Sequence, residues 1–361
     1  MPYPANYGGV IDMYYKIIAL HNLGIRIHLH CFTNNRPAQK KLLQYCQTVT
    51  YYKRKTISGY RTNLPFIVSS RVNNKLLTNL QKDTHPILFE GIHCTYLLHT
   101  NVLGSRKMCI RLFNVEHLYY KKLAALEKNF FLKLHYLLEA KQLYKYEKKI
   151  AKSVQIFAPS TKDCADYEAL FDADNISFLP VFLPYQQVIS NMGIGKYCLY
   201  HGNLAINENE TAALWLIEKV FTQLKIPLVI AGNKPTIKLI NTIKKYPNVS
   251  LVTSPIDSTM QLLIANAHVN VLPSFNETGV KLKLLNALYN GRYCLVNNAG
   301  VAGSQLNKLC VLAESEQEYR AAITAIMEQP FTIQQIQNRQ VELKKIYNNK
   351  QSALVIQTAL L

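Results

Sequence analysis

The feature that most constrains the fold of this chain is an alternation that stops once and then starts again. From residue 25 to about Asp174, short apolar runs of strand length trade places with helix-patterned stretches, and the same rhythm resumes at Lys196. Such alternation argues for parallel sheets covered by helices. The pause between the two series holds Pro180, Pro184, Gly193 and Gly195, a composition suited to an interdomain linker. The sequence therefore predicts an α/β chain of two doubly wound, Rossmann-like domains. The expected divisions are a first domain over 1–183, a linker over 184–195 and a second domain over 196–345. A closing helix over 346–361 is expected to pack back towards the first domain. A length of 361 residues exceeds one core of usual size, which agrees with two domains.

The first domain opens on an absence. Met1 to Gly9 is turn-rich and leads straight into the helical pattern of Asp12, Met13, Ile17 and Leu20. No strand precedes it, so two expectations stay open: the start of the chain falls too late, or this half has lost its first strand. Ile25 to Phe32, Pro86 to Glu90, Met108 to Leu112 and Val154 to Ala158 read as strands. The basic run Tyr51 to Lys55 lies between the first two of these. One long helix is expected from about His117 to Ala151, and another beyond it, capped by Ser160 or Thr161. In the second half, strands are expected at Lys196 to Tyr200, Pro227 to Ala231, Val249 to Val252 and His268 to Leu272. Helices are expected at Asn207 to Leu224, Lys234 to Lys245 and Ser258 to Asn266.

Charge narrows the partners. Lys plus Arg number 41 and Asp plus Glu 22, a formal net charge of 41 − 22 = +19. Anionic partners are implied by it: phosphorylated ligands, an anionic bilayer face or nucleic acid. The eight cysteines are scattered, with no C-x-x-C pair, which points to a reducing compartment without zinc or disulfides. No apolar run reaches the length of a membrane span and no secretory leader is recognised. The expected location is the cytoplasm, with peripheral attachment to the inner face of the cytoplasmic membrane through basic clusters such as Lys53-Arg54-Lys55, Lys121-Lys122 and Lys148-Lys149.

One stretch concentrates the chemistry. Leu272 to Gly303 reads strand, polar loop, helix, strand, with Glu277 and Gly279 in the loop and Lys281 and Lys283 where the helix opens. Lysines are unusual at a helix amino end, where the dipole already favours anions. Something negative is expected opposite them, held also by backbone N–H groups. Other polar loops fall at carboxyl ends of predicted strands: Glu90 to His93, Asn114 to His117, His201 to Asn207, and Gly232 to Lys234. Ligands of open α/β sheets bind at such ends.

Taken together these motifs resemble retaining glycosyltransferases of the GT-B fold, family 4-like, of the type common in bacterial polysaccharide synthesis. The resemblance runs from the opening Pro-Tyr-Pro-Ala-Asn-Tyr-Gly-Gly to the final helices. It implies that Gly8-Gly9 matches a glycine-rich, cleft-facing loop. It also implies that His201-Gly202-Asn203 matches a loop near the donor diphosphate, and that Asn114-Val-Glu116-His117 matches an acceptor-side loop. In the family's donor segment, Lys281 and Lys283 fit the basic part. The acidic part departs from the pattern: Asn286 stands where relatives keep a carboxylate, and Glu277 falls one residue early. Asn114 reads equally well as the cap of the helix after it.

The implied activity is transfer of a sugar, with retention, from a nucleotide-diphosphate sugar to a glycan or lipid-linked acceptor, using no cofactor beyond that co-substrate. Glu277 and Lys281 are the expected catalytic residues. Gly202, Asn203, Gly279, Lys281, Lys283 and Asn286 are expected to hold the donor, and Gly8, Gly9, Asn114, Glu116 and His117 to line the acceptor side. Without an Asp-x-Asp motif at a strand end, lysine rather than a metal is expected to stabilise the leaving diphosphate. Other readings stay open on the residues alone. One is a catalytically degenerate GT-B partner, suggested by Asn286. Another is a basic nucleic-acid-binding protein, disfavoured because the basic residues are not interleaved with aromatics.

Overall fold

The computed structural model describes residues 1–5, 8–33 and 36–361. The chain divides into two compact units: Met1–Pro184 with Tyr347–Leu361, and Tyr185–Ile346.

In the first unit, helix α1 (Gly8–Asn22) leads into strands β1 (His28–Thr33) and β2 (Thr48–Lys53). Next come two short helices, α2 (Phe66–Ser69) and α3 (Asn74–Leu80), then β3 (Ile87–Glu90), α4 (Tyr96–His99) and β4 (Met108–Arg111). A helical hairpin, α5 (Glu116–Leu126) and α6 (Phe130–Ile150), precedes β5 (Gln155–Ala158), α7 (Thr161–Phe171) and β6 (Ile176–Phe178). All pairings are parallel, but the strands form two ladders, β1-β2 and β3-β4-β5-β6. Among the described residues no strand precedes α1; Asn6 and Tyr7, in the predicted opening loop, lie outside them.

What anchors α1 is a buried ionic cluster. Asp12 accepts from the Arg111 guanidinium (Nε, 3.1 Å), Lys16 reaches Glu90 at the end of β3 (2.8 Å), and the Phe182 amide donates to Asp12 (2.7 Å). Charges this buried are retained only when paired and hydrogen-bonded.

One stretch given no element forms a strand, and two local expectations need correcting. The basic run at Tyr51 to Lys55 is largely β2, because Thr48, Val49, Thr50, Tyr51 and Tyr52 are strong strand formers that pair residue by residue with β1. The single helix expected from His117 to Ala151 is broken, because the Asn129 side chain accepts from the Leu132 amide (3.0 Å) and starts a new helix. Asn114 is not the cap of α5. Val115 holds that position, and the free amides of Glu116 and His117 donate instead to the Glu147 carboxylate on α6 (2.9 and 3.1 Å).

The second unit holds β7 (Cys198–His201), α8 (Asn207–Trp215), β8 (Leu228–Gly232), α9 (Ile237–Ile243), β9 (Val249–Thr253), α10 (Asp257–Asn266) and β10 (Val269–Val271). After these come α11 (Leu282–Asn290), β11 (Tyr293–Val296), α12 (Asn298–Val301), β12 (Val311–Leu312), α13 (Glu316–Met327) and α14 (Ile333–Ile346). One parallel six-stranded sheet results, in the order β12-β11-β10-β7-β8-β9. Residues 185–195 pack on this unit, through the Ile189 amide to the Tyr289 carbonyl (2.8 Å), Ser190 to the Gly291 carbonyl (2.6 Å) and a Gly193–Phe331 bridge. The last helix, α15 (Asn349–Leu360), returns to the first unit, where Ala353 and Ile356 join Ala19, Leu20 and Phe182 in one core.

Candidate active site

The strand order of the second unit dictates where a ligand can sit. From β7 the chain winds outward through β8 and β9, then returns to the other side of β7 with β10 and winds away through β11 and β12. The switch point of this doubly wound sheet therefore lies between β7 and β10, and the loops leaving their carboxyl ends are splayed apart there.

Those loops carry the predicted residues. After β7 comes Gly202-Asn203, where the Asn203 carbonyl accepts from the Asn209 side chain (3.0 Å). Gly202 and Gly232 meet back to back: a Cβ on Gly232 would run into the Gly202 carbonyl, so the β7 and β8 loops can approach this closely only with glycine. After β10, Ser274 and Asn276 fold the next loop into a turn in which the Asn276 side chain accepts from the Thr278 amide (2.9 Å). Glu208, in the first turn of α8, ties the two loops together by accepting from Ser274 Oγ (3.3 Å) and Asn276 Nδ2 (3.2 Å).

Lys281 and Lys283 then take different roles. Lys281 caps α11 and its ammonium group turns back on its own loop, onto the carbonyls of Thr278 (2.6 Å) and Gly279 (3.3 Å). Lys283 crosses to the far side of the switch point. Its Nζ donates to Asn209 Oδ1 (3.1 Å) and Tyr200 OH (3.3 Å) and lies 4.8 Å from the centre of the Tyr200 ring. Burial, opposed by Glu208 and reinforced by Lys281, brings its pKa down to about 8. Beside it, burial and the Lys283 charge push His201 down to about 3, so its imidazole is neutral at physiological pH. His201 Nε2 is buried and has no hydrogen-bond partner among the described residues. A buried polar atom of this kind calls for an explanation, and a ligand is one.

Two predicted residues stand apart from this network. Glu277 is exposed at the loop tip. Asn286 lies further along α11, where its side-chain oxygen accepts from Asn290 (2.8 Å). Sequence reasoning missed Tyr200, Glu208, Asn209, Ser274 and Asn276. The only available signal was their place at strand ends or at the start of α8.

In the first unit, Gly8 and Gly9 form the first turn of α1, and Gly9 abuts the Phe113 ring. Glu116 is buried; burial and the nearby Glu147 raise its carboxyl to about 8, against the pull of Arg71 and a hydrogen bond with Asn114. His117 is fully buried, with Nδ1 on Glu147 (2.7 Å), and Tyr167 donates to the same carboxylate (3.2 Å).

The architecture defines a class. Two parallel α/β units of this kind are the GT-B fold expected from the sequence, and solved structures share it. Sucrose-phosphate synthase from Thermosynechococcus elongatus superposes with a TM-score of 0.71 at 13% identity, over 98% of this chain and 92% of that one. Anabaena HepE, solved with UDP-glucose, gives 0.66 at 12% identity, over 98% and 96%. TarM gives 0.59 at 13% identity over 79% of this chain, which spans 57% of its length. Residues 195–329, all within the second unit, match the family model of glycosyl transferases group 1. An uncharacterised 44.6 kDa protein of the cps region of Klebsiella pneumoniae is 28% identical over 332 residues, 85% of this chain and 83% of that protein.

Proposed function

We propose that this protein is a retaining glycosyltransferase that takes a sugar from a nucleotide-diphosphate sugar and delivers it to a glycan or lipid-linked acceptor in cell-surface polysaccharide synthesis. The observation that carries the reading is Lys283, a half-buried cation held at the switch point of the unit that matches glycosyl transferases group 1. The cps-region relative supports the polysaccharide role. HepE, solved with UDP-glucose, makes UDP-sugars the first donors to try.

In this reaction the anomeric carbon–oxygen bond to the diphosphate breaks and negative charge collects on the leaving phosphate. Lys283, the amides at the start of α11 and the backbone at Gly202 and Gly279 are assigned to that charge, since preorganised donors do this best where water is sparse. Lys281 contributes by fixing the loop and by adding positive potential. His201 offers a neutral ring nitrogen to the donor. The acceptor hydroxyl attacks from the face the phosphate leaves, and its proton passes to the departing phosphate oxygen, so no protein base is required. Glu277, which makes no hydrogen bond with the described residues, is assigned to the hydroxyls of the transferred sugar. Asn203 and Asn286 are assigned to the nucleotide end. In the first unit Gly8, Gly9, Asn114 and Glu116 are assigned to the acceptor side, Glu116 as a protonated donor at neutral pH, with His117 behind it.

The test is a thermal-shift screen of UDP-, GDP- and dTDP-sugars, then product analysis with each binder. The expected result is a shift with one nucleotide class and release of its diphosphate, with activity that survives chelation of divalent metals. A shift without transfer or hydrolysis would identify a degenerate binding protein, and no shift with any donor would overturn the reading.

A further inference from the structure

We propose that the α5–α6 hairpin is a membrane-insertion element, its tip entering the acyl region of an anionic bilayer while a row of lysines behind it meets the headgroups. The inference concerns the first unit alone and does not depend on the glycosyl-transfer reading.

The argument starts from burial. The inner face of α6 packs on the unit through Glu139, Ala140, Leu143, Tyr146, Glu147 and Ile150. At 100° per residue the opposite face carries Phe130, Phe131, Leu134, Leu137 and Leu138, all exposed, Phe130 at 71% and Phe131 at 80%. Leu126, at the end of α5, is exposed beside them. Soluble proteins expose single apolar side chains routinely, but a contiguous group on one helix face marks an interaction site.

Charge on the same face defines the chemistry of the partner. Beyond Leu138 the outward positions are Lys141, Lys145, Lys148 and Lys149, all exposed. Lys128 and Lys133 flank the tip. At the tip, Glu127 is the one acid beside Lys128, and it accepts from the Asn129 amide (2.8 Å); the acids on α6 do not neutralise the lysine row. Glu139 accepts from the amides of Phe66 and Ile67 (2.8 Å each), and Glu147 from those of Glu116 and His117. Both act as caps for other helices and are buried. The hairpin thus offers an apolar end about 12 Å long, from Phe130 to Leu138 at 1.5 Å per residue, and behind it uncompensated positive charge. That order matches the depth profile of an anionic leaflet, apolar chains below and phosphates above. A second copy of the chain would instead have to bring like charge against this lysine row.

The experiment is vesicle co-sedimentation of the full chain, with phosphatidylcholine alone and with phosphatidylcholine containing phosphatidylglycerol. The protein is expected to pellet with the anionic vesicles and to be released only in part by high salt. Combined Phe130→Ser, Phe131→Ser and Leu134→Ser should weaken binding by at least about tenfold and leave a remnant that salt removes. Combined Lys141→Glu, Lys145→Glu and Lys148→Glu should weaken it similarly and flatten its salt dependence. These side chains face solvent, so both variants should keep the wild-type circular dichroism and melting temperature. The proposal is overturned if the wild type stays in the supernatant with anionic vesicles, or if the serine variant pellets as the wild type does. It is also overturned if ultracentrifugation gives a dimer that the serine variant dissociates while neither protein binds vesicles.

Discussion

In the first unit the Glu147 carboxylate accepts from two backbone amides, the His117 ring and the Tyr167 hydroxyl, all buried. In the second unit the polar groups at the switch point are only partly consumed: Lys283 has two protein partners and is half-buried, and His201 Nε2 has none among the described residues. Both regions lie at carboxyl ends of parallel strands, and both were picked out by short polar motifs. The first spends the His117 ring and the amides of its motif on holding α5, α6 and α7 together. The second holds its cations on neutral partners and leaves His201 Nε2 without one among the described residues, as suits a site for an anionic ligand.

Removing the two anchors should have opposite consequences. Glu147→Ala strips the partner from four buried donors at once and should cost about 3–5 kcal/mol. Hydrogen exchange should show lost protection in α5 and α6 and none in β7 and β8; equal loss in both units would erase the distinction. Lys283→Met removes a desolvated cation and replaces it with a side chain of similar volume. It should leave stability unchanged or slightly raised while weakening nucleotide-diphosphate binding by about tenfold to a hundredfold, roughly 1.4–2.8 kcal/mol.

A pH series sharpens the same contrast. The pKa of Lys283 is about 8 in the folded chain against an ordinary 10.5. Between those values the unfolded chain binds the extra proton, so its contribution to stability grows as pH rises from 8 to 10.5. Donor affinity should run the other way, falling as pH rises through 8, and Lys283→Arg should flatten that fall. Glu116 is displaced upward to about 8, so the stability it contributes is present at low pH and is lost as pH rises from its ordinary value through 8. Calorimetric titration with UDP from pH 6.5 to 9.5 reads the first effect. The smallest expected effect is that of Glu277→Gln, which should lower kcat by about tenfold while leaving UDP affinity within a factor of about two.

Much of the architecture was legible because buried parallel strands write themselves as apolar runs, as at Met108–Arg111 and Leu228–Gly232. The edge strand β2 was not, since Thr-Val-Thr-Tyr-Tyr-Lys presents hydroxyls and a charge. The break between α5 and α6 was hidden by Glu127 and Lys128, good helix formers, although Asn129 carried the capping signal. At the site, Lys283 could be named from its place at a helix start. Its partners Tyr200 and Asn209 could not, because they lie 83 and 74 residues away and meet it only through the order in which the sheet is wound. The outward face of α6 was invisible for a related reason: a Leu- and Phe-rich helix reads as core until its neighbours are known.

The central claim is that the donor site belongs to the second unit's switch point, with the first unit's Glu-His motif excluded from it. The most direct measurement is calorimetric titration of UDP into the wild type, Lys283→Ala and Glu116→Gln under one buffer. The account predicts that Lys283→Ala abolishes or strongly weakens the binding seen in the wild type, while Glu116→Gln binds as the wild type does. Binding that survives Lys283→Ala and disappears in Glu116→Gln would contradict it.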